Sequence, residues 1–481
     1  MALASLPATS SEKYPVISVA RKIAFETLRR VESEGAYATD VLHAELGSAI
    51  SPADAALATE LTLGVLRWRG LLDFLLERLL QKPVARLDLP VALALRLGLY
   101  QIRFLQRVPA RAAVNESVDL VKFARKTSAA SLVNAVLRKA AAEAAEPPER
   151  FLPAGMALSA RLSILHSHPE WLIDRWLARF GEARTVALLE ANNHAPRLSI
   201  ALHDLNQRDA IARELTSAAL QIESGLLLNS ALSVKGGSVI RTAAFREGRI
   251  SIQDEASQAI PFLLDVQPGD SVLDLCAAPG GKTPALAHAA GPKALVIAAD
   301  LHGHRVQAMR TQFARLALEN IQCVQLNAVE ALPFASQFDR ILVDAPCSGS
   351  GTLARHPEIR WRLRPEELNE FHGLQVRILA NALAALVPGG RLVYSTCSLE
   401  PEENESVIAE LLACDSKLQH VPPGELALSL QPHLAPSLAA RSLFYDNGEF
   451  HTFPPETRTD GFFASVLHKN VTKYCEPCAS I

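Results

Sequence analysis

The hydrophobic period of this chain changes once along its length, and that change constrains its fold more than any other feature. From Ala20 to about Ala142 apolar residues recur at three- and four-residue steps, as in Val65, Trp68, Leu72, Leu75, Leu76 and Leu79, or Leu93, Leu97, Tyr100 and Phe104, or Val133, Val136, Leu137 and Ala140. Each set is one buried stripe of an amphipathic helix. Pro83, Pro90 and Pro109 punctuate the connections, so an all-α bundle is expected there. Farther on, candidate strands at 271–276, 294–299, 321–326, 338–343 and 391–396 alternate with helical segments. That spacing predicts a parallel, doubly wound α/β sheet of Rossmann-like type.

Pro147, Pro148 and Pro153 break the helical pattern and place the end of the first domain near residue 150. Residues 156–245 carry a helical stretch opening at His168-Pro169-Glu170-Trp171 and an alternating segment, Leu198 to Leu202, which together suggest a small α+β connector. Val421 to Thr459, rich in Pro and Ser, reads as irregular surface before a last strand at Phe462 to His468. The expected domains are therefore 15–150, 156–245 and 246–470. A chain of 481 residues has room for two or three such units.

With 49% hydrophobic and 21% charged residues the composition is that of a soluble globular protein. The net charge of -3 says little, but residues 1–150 hold 20 Lys and Arg against 16 Asp and Glu, a mildly basic balance that permits an RNA-facing region without establishing one. Met1 to Tyr14 lack the apolar core of a signal peptide and no unbroken apolar run has membrane length, so a cytoplasmic protein with no membrane partner is expected. Seven cysteines are too few for a disulfide framework. Cys475 and Cys478 form a C-x-x-C with no second pair or histidine set, which reads as a solvated tail, and no metal is expected.

Three loops carry chemistry. Cys276-Ala277-Ala278-Pro279-Gly280-Gly281-Lys282 follows the first strand of the α/β half, where a doubly wound sheet aims its ligand-binding loops. Gly280 and Gly281 let the backbone approach a ligand closely, and Thr283 is placed to cap the next helix. The dinucleotide pattern G-x-G-x-x-G is missing, so a ligand without a pyrophosphate, such as S-adenosylmethionine, suits the loop, with Asp300 after the second strand as an acceptor for ribose hydroxyls. Cys347 in Asp344-Ala345-Pro346-Cys347-Ser348 and Cys397 in Thr396-Cys397-Ser398 follow later strands. Either cysteine alone reads best as a small core hydrophobe, but two in polar loops after strands read as reactive thiols. Cys276 is read as packing, and Cys323 and Cys414 as core.

Val272 to Thr283, Asp344 to Ser348 and Thr396-Cys397-Ser398 together resemble the Sun (Fmu) family of RNA cytosine-5 methyltransferases. The helical N-terminal part, notably Val108 to Val118 and Val133 to Arg138, is similar to the NusB-like RNA-binding domain of the bacterial RsmB type, and the likeness runs from about Val19 to Lys469. The resemblance implies methyl transfer from S-adenosylmethionine to a cytosine of 16S ribosomal RNA, free or partly assembled, by a monomer. It puts the cofactor on Cys276 to Lys282, Asp300, Asp344 and, where the family has a third acid, Asn327, which can still accept or donate a hydrogen bond. It also assigns the nucleophile to Cys397, assistance in product release to Cys347, and contact with the cytosine edge to Asp344.

Carbon 5 of cytosine is a poor nucleophile, and a thiolate adding at carbon 6 makes the ring enamine-like. Much thiolate at neutral pH requires the cysteine pKa to fall from roughly 8.5, in a field that Lys282 or a bound sulfonium would supply. Arg355 to Trp361 interleaves cations with an aromatic ring, a mix suited to RNA or to a solvated basic face. His168, Trp171, Asn193 and Arg197 are further RNA candidates, although a helix-capping His-Pro and a core Trp explain the first two equally well. The same chemistry on transfer RNA and a noncatalytic NusB-like RNA-binding factor are the competing readings. A DNA cytosine methyltransferase fits the Cys397 loop less well.

Overall fold

The computed structural model describes residues 17–47, 50–334 and 337–470; Cys475 and Cys478 lie outside them. The described residues form two compact units, one drawn from Met1–Asn193 with His356–Trp361, the other from His194–Arg355 with Arg362–Ile481.

The first unit is helical: α1 (Val19–Glu34), α2 (Ala38–Glu45), α3 (Pro52–Arg67), α4 (Arg69–Leu80), α5 (Leu89–Phe104), α6 (Ala110–Phe123), α7 (Ala130–Ala142), α8 (Leu158–His166) and α9 (Glu170–Asn193). Proline at the first position and the Ser51 hydroxyl, which accepts from Asp54 N, start α3. The stripes read from the sequence close on one core, with Leu28, Leu61, Leu72, Leu76, Leu93 and Leu137 fully buried. A Cβ on Gly64 would fall 2.1 Å from Tyr100 Cζ, so only glycine lets α3 and α5 meet there. Buried Arg96 donates two hydrogen bonds, of 2.7 and 2.8 Å, to Asp73.

The short segment His356–Trp361 corrects the expectation of an RNA-facing patch. Arg360 is fully buried and donates to Ser167 O, Asn193 Oδ1 and Asn192 O, and Trp361 donates its ring N–H to Leu66 O. His168 is buried too, with Nδ1 2.7 Å from His166 O. Burial of a guanidinium demands several acceptors at once, and the backbone carbonyls and Asn193 supply them. In the second unit Arg355 pairs with Asp254 and Asp460, each at 3.0 Å, and Arg197 pairs with Glu223 at 3.1 Å.

The second unit opens with a four-stranded antiparallel sheet of order β2-β3-β1-β4, made of β1 (Leu198–Leu202), β2 (Gln221–Ser224), β3 (Ala231–Lys235) and β4 (Ile250–Ile252), with α10 (Arg208–Ser217) and α11 (Ala243–Arg246). Then follow α12 (Glu255–Leu263), β5 (Val272–Leu275), α13 (Thr283–Ala290), β6 (Val296–Asp300), α14 (Gly303–Arg315), β7 (Ile321–Gln325) and β8 (Phe338–Asp344); the short α15 (Ile359–Arg362), next in the chain, falls mostly in the segment that belongs to the first unit. The chain ends with α16 (Glu367–Ala384), β9 (Leu386–Thr396), α17 (Glu405–Cys414), β10 (Leu418–His420), α18 (Pro423–Leu430), β11 (Phe450–Thr452), α19 (Pro454–Thr457) and β12 (Phe462–Lys469).

The larger sheet has the order β10-β12-β9-β8-β5-β6-β7, with β11 on β12. From β9 to β7 it is parallel, as the alternation predicts, but β12 is antiparallel to β9, and β10 and β11 are antiparallel to β12. The chain enters β12 from β11 by a short reversal instead of a helical crossover, so it runs back along its neighbour. Val421 to Thr459 is also not irregular surface. Leu426, Leu430 and Phe450 are fully buried and pack in the core that holds Ala259, Ile260 and Leu263 of α12. Prolines there start helices at their first positions, which composition alone does not distinguish from loop.

One buried carboxylate ties the small sheet to the large one. Glu255 accepts from Leu226 N at 3.1 Å, Leu227 N at 2.7 Å and Leu228 N at 3.0 Å. Glu255→Ala leaves these donors without a partner, and urea unfolding of the variant is expected to show a loss of about 2–4 kcal/mol; an unchanged midpoint and slope would contradict this role.

Candidate active site

Strand order dictates where the three loops meet. The chain builds β5, β6 and β7 outward in one direction and then returns to place β8 and β9 on the other side of β5. The crevice beyond the carboxyl ends of the strands lies at that switch.

The loop after β5 turns sharply at Cys276 (φ 65°) and Gly280 (φ 91°), and Gly280 N donates to Ala277 O at 2.7 Å. A Cβ on Gly280 would stand 2.9 Å from Phe313 Cζ, so the positive φ and the close approach of α14 both call for glycine. Ala277, Ala278, Pro279 and Gly281 complete the loop, with Pro279 exposed. Thr283 does not cap α13. It is the first helical residue, and its hydroxyl donates to Asp274 Oδ2 at 2.6 Å. The Cys276 thiol is half-buried among apolar neighbours, and burial, then Asp300, Asp344 and Asp274, push its pKa up.

Asp300 closes β6 and accepts from His302 N through Oδ1 at 3.0 Å, with Oδ2 making no bond among the described residues. Asn327, beyond β7, is turned to its own loop, accepting from Val329 N at 3.2 Å and donating to Glu330 at 2.9 Å. Asp344 closes β8 with both oxygens engaged, Oδ2 by Lys282 Nζ at 2.6 Å and Oδ1 by Ser395 Oγ at 2.7 Å. The Lys282 ammonium, one of the two sources of a positive field named from the sequence, is thus paired with Asp344. Of the remaining cysteines, Cys323 is half-buried on β7 and Cys414 is exposed at the end of α17, which corrects the reading of Cys414 as core.

The two thiols come together. Cys347 Sγ lies 3.3 Å from Cys397 Sγ although 50 residues separate them, and both side chains are half-buried. The Cys347 thiol is held well above its ordinary range by the hydrogen bond to Cys397, by burial and by the charges of Cys397 and Glu403. Sequence reasoning passed over Glu403, Ser348 and Ser398, which surround this pair, and also Asp274. The signal available was the acidic, Asn-bearing run Pro401 to Glu405 directly after the Cys397 loop.

A model of the 16S rRNA methyltransferase RsmB/F family matches residues 261–468, one of the NusB family matches 18–142, and one of the RsmF/B-like ferredoxin-like domain matches 168–240. The probable ribosomal RNA small subunit methyltransferase B of Bacillus subtilis is 33% identical over 459 residues, 93% of this chain and 98% of the relative. The chain belongs to the RsmB/F family.

That is a family of S-adenosylmethionine-dependent RNA methyltransferases, so this RsmB/F member is an enzyme. The ribosomal RNA small subunit methyltransferase B of Sodalis glossinidius is likewise 33% identical, covering 95% of this chain and 98% of its own. The solved structure of PH0851 superposes with a TM-score of 0.78 at 25% identity over 94% of this chain and 98% of that one. A methyltransferase homologue from Pyrococcus horikoshii gives 0.54 at 28% identity, over 66% of this chain and all of that one.

Asp274, beneath the cofactor loop, has one oxygen without a partner, and burial is the main cause that pushes its carboxyl up to about 7. The folded protein therefore keeps a proton that the unfolded chain releases near pH 4. The stabilisation is present in full below that pH and is lost as pH rises toward 7. Asp274→Asn, which can still accept from Thr283, should gain in melting temperature relative to the unaltered protein between pH 5 and 8; a difference that does not vary with pH would contradict this.

Proposed function

We propose that this RsmB/F enzyme transfers a methyl group to carbon 5 of a cytosine in 16S ribosomal RNA through a transient bond between Cys397 and carbon 6. The observation that carries the reading is the 3.3 Å approach of two thiols at the ends of neighbouring strands, beside Asp344. The residues suit S-adenosylmethionine: the loop after β5 turns at Gly280 beyond the carboxyl ends of the strands, and Asp300 keeps an oxygen open for a ribose diol. Cys276 to Lys282 and Asp300 would hold it, with Asp344 at the reacting end and Asn327 beside the base. When bound, it supplies an electrophilic sulfonium methyl.

Cys397, as thiolate, adds to carbon 6, and the electron pair displaced onto carbon 5 takes the methyl. Asp344, fixed by Lys282 and Ser395, holds the cytosine edge and shares a proton with the ring, which favours that addition. The carbon 5 proton then passes to a base, which solvent water can be, its electron pair re-forms the ring double bond, and the bond to Cys397 breaks with its electron pair returning to sulfur as thiolate. Cys347 is within hydrogen-bond reach of Cys397 and assists this release. A base must be unstacked to reach the pair, so a single-stranded or extruded cytosine is the substrate.

The NusB match and the relatives named for the ribosomal small subunit favour ribosomal over transfer RNA. Among the described residues no helix is long and apolar enough to cross a membrane. A monomer working in the cytoplasm completes the proposal.

Cys347→Ala incubated with methyl donor and small-subunit RNA is expected to accumulate a denaturation-resistant protein–RNA adduct. Cys397→Ala should give none and lose roughly four orders of magnitude or more in turnover. The opposite pattern would reverse the two roles, and bisulfite sequencing of cellular RNA with and without the protein would find the base.

A further inference from the structure

We propose that Glu403 is the positioning residue that sets Cys347 and Cys397 at their working separation, acting through Ser348 and Ser398. This rests on the roles given to the two cysteines above. The Glu403 side chain is fully buried. Its Oε1 accepts from Ser348 Oγ and from Ser398 Oγ, both at 2.5 Å, and its Oε2 accepts from Ser348 N at 2.7 Å and Gln375 Nε2 at 3.3 Å. One carboxylate therefore grips the residue that follows each reactive cysteine.

The residues preceding the cysteines are held from the same place. Gln375 Nε2 also donates to Pro346 O at 2.9 Å, and Asn404 links Thr396 Oγ1 (2.5 Å) with Ser398 O (2.9 Å). Four donors converge on Glu403, and only a carboxylate has four lone-pair sites to receive them; an amide would turn its own N–H groups against Ser348 N and Gln375. A buried anion is costly unless it is saturated in this way. Its charge also opposes loss of the Cys347 proton, after the hydrogen bond to Cys397 and burial. The same group thus fixes distance and keeps one thiol protonated beside the other.

The test uses the full chain and has two readouts. In the first, without RNA or methyl donor, diamide oxidises the two thiols to a Cys347–Cys397 disulfide, taking up their two electrons and two protons, and peptide mass spectrometry times the bond. Glu403→Ala is expected to slow it by about tenfold or more with circular dichroism unchanged, and Glu403→Gln, which keeps one acceptor, to fall between. In the second, methyl transfer to small-subunit RNA by Glu403→Ala should lose about a hundredfold in kcat with KM within about twofold.

An unchanged disulfide rate, no disulfide in the unaltered protein, or slowed oxidation with normal kcat would each overturn the proposal. Should Glu403→Ala not fold, Ser398→Ala is read in the same two ways, with a smaller effect expected. Failure of the unaltered enzyme to methylate any cytosine would defeat the functional reading alone, because the disulfide rate still judges Glu403.

Discussion

The site depends on the pairing of two parallel neighbours, β8 and β9. Asp344 stands opposite Ser395 in the register, and Ala345 N donates to Ser395 O at 2.9 Å. Parallel strands end at the same edge of a sheet, so the loops that leave them start side by side whatever the sequence distance. Cys347 and Cys397 are neighbours for that reason. Gly351 adds a second tie between the loops: its N–H donates to Cys397 O while its carbonyl accepts from Gly461 N, and a Cβ there would fall 2.2 Å from Gly461 O. Glycine is therefore required for three stretches of backbone to stack at the Cys397 loop.

Charge in this region follows the same geometry. Asp344 takes the Lys282 ammonium, Asp254 and Asp460 share Arg355, and Glu403 has only neutral donors within hydrogen-bond distance. Each of these acids thus meets a hydroxyl, an amide or a paired cation. A low effective dielectric makes each of these short contacts matter more than it would in water.

Much of the fold was legible because burial on both faces of a parallel strand leaves a continuous apolar run, as in Val296 to Ala299 and Ile341 to Val343, and burial of one helix face leaves a stripe. The sharp turn after β5 was legible from its glycines, and the two cysteine loops from their place after strands. What escaped depended on tertiary partners. The direction of β12 is set by how the chain returns, which no local pattern records. Leu426, Leu430 and Phe450 were hidden among prolines that start helices. Arg360 looked like an RNA contact because a cation beside Trp361 suggests one, and only the assembled carbonyls show it to be interior. Glu403 stood in an acidic run, Pro401 to Glu405, in which nothing local set it apart from Glu402 and Glu405; only the convergence of Ser348 and Ser398 on it does so.

The central claim is a covalent bond between Cys397 and a cytosine. RNA carrying 5-fluorocytosine at the target position tests it most directly, because fluorine cannot leave carbon 5 as a proton does, and elimination after methyl transfer is blocked. Tandem mass spectrometry of the trapped complex should place one methylated, fluorinated nucleotide on the peptide containing Cys397. A nucleotide on Cys347, or free methylated RNA with no protein attached, would contradict the account.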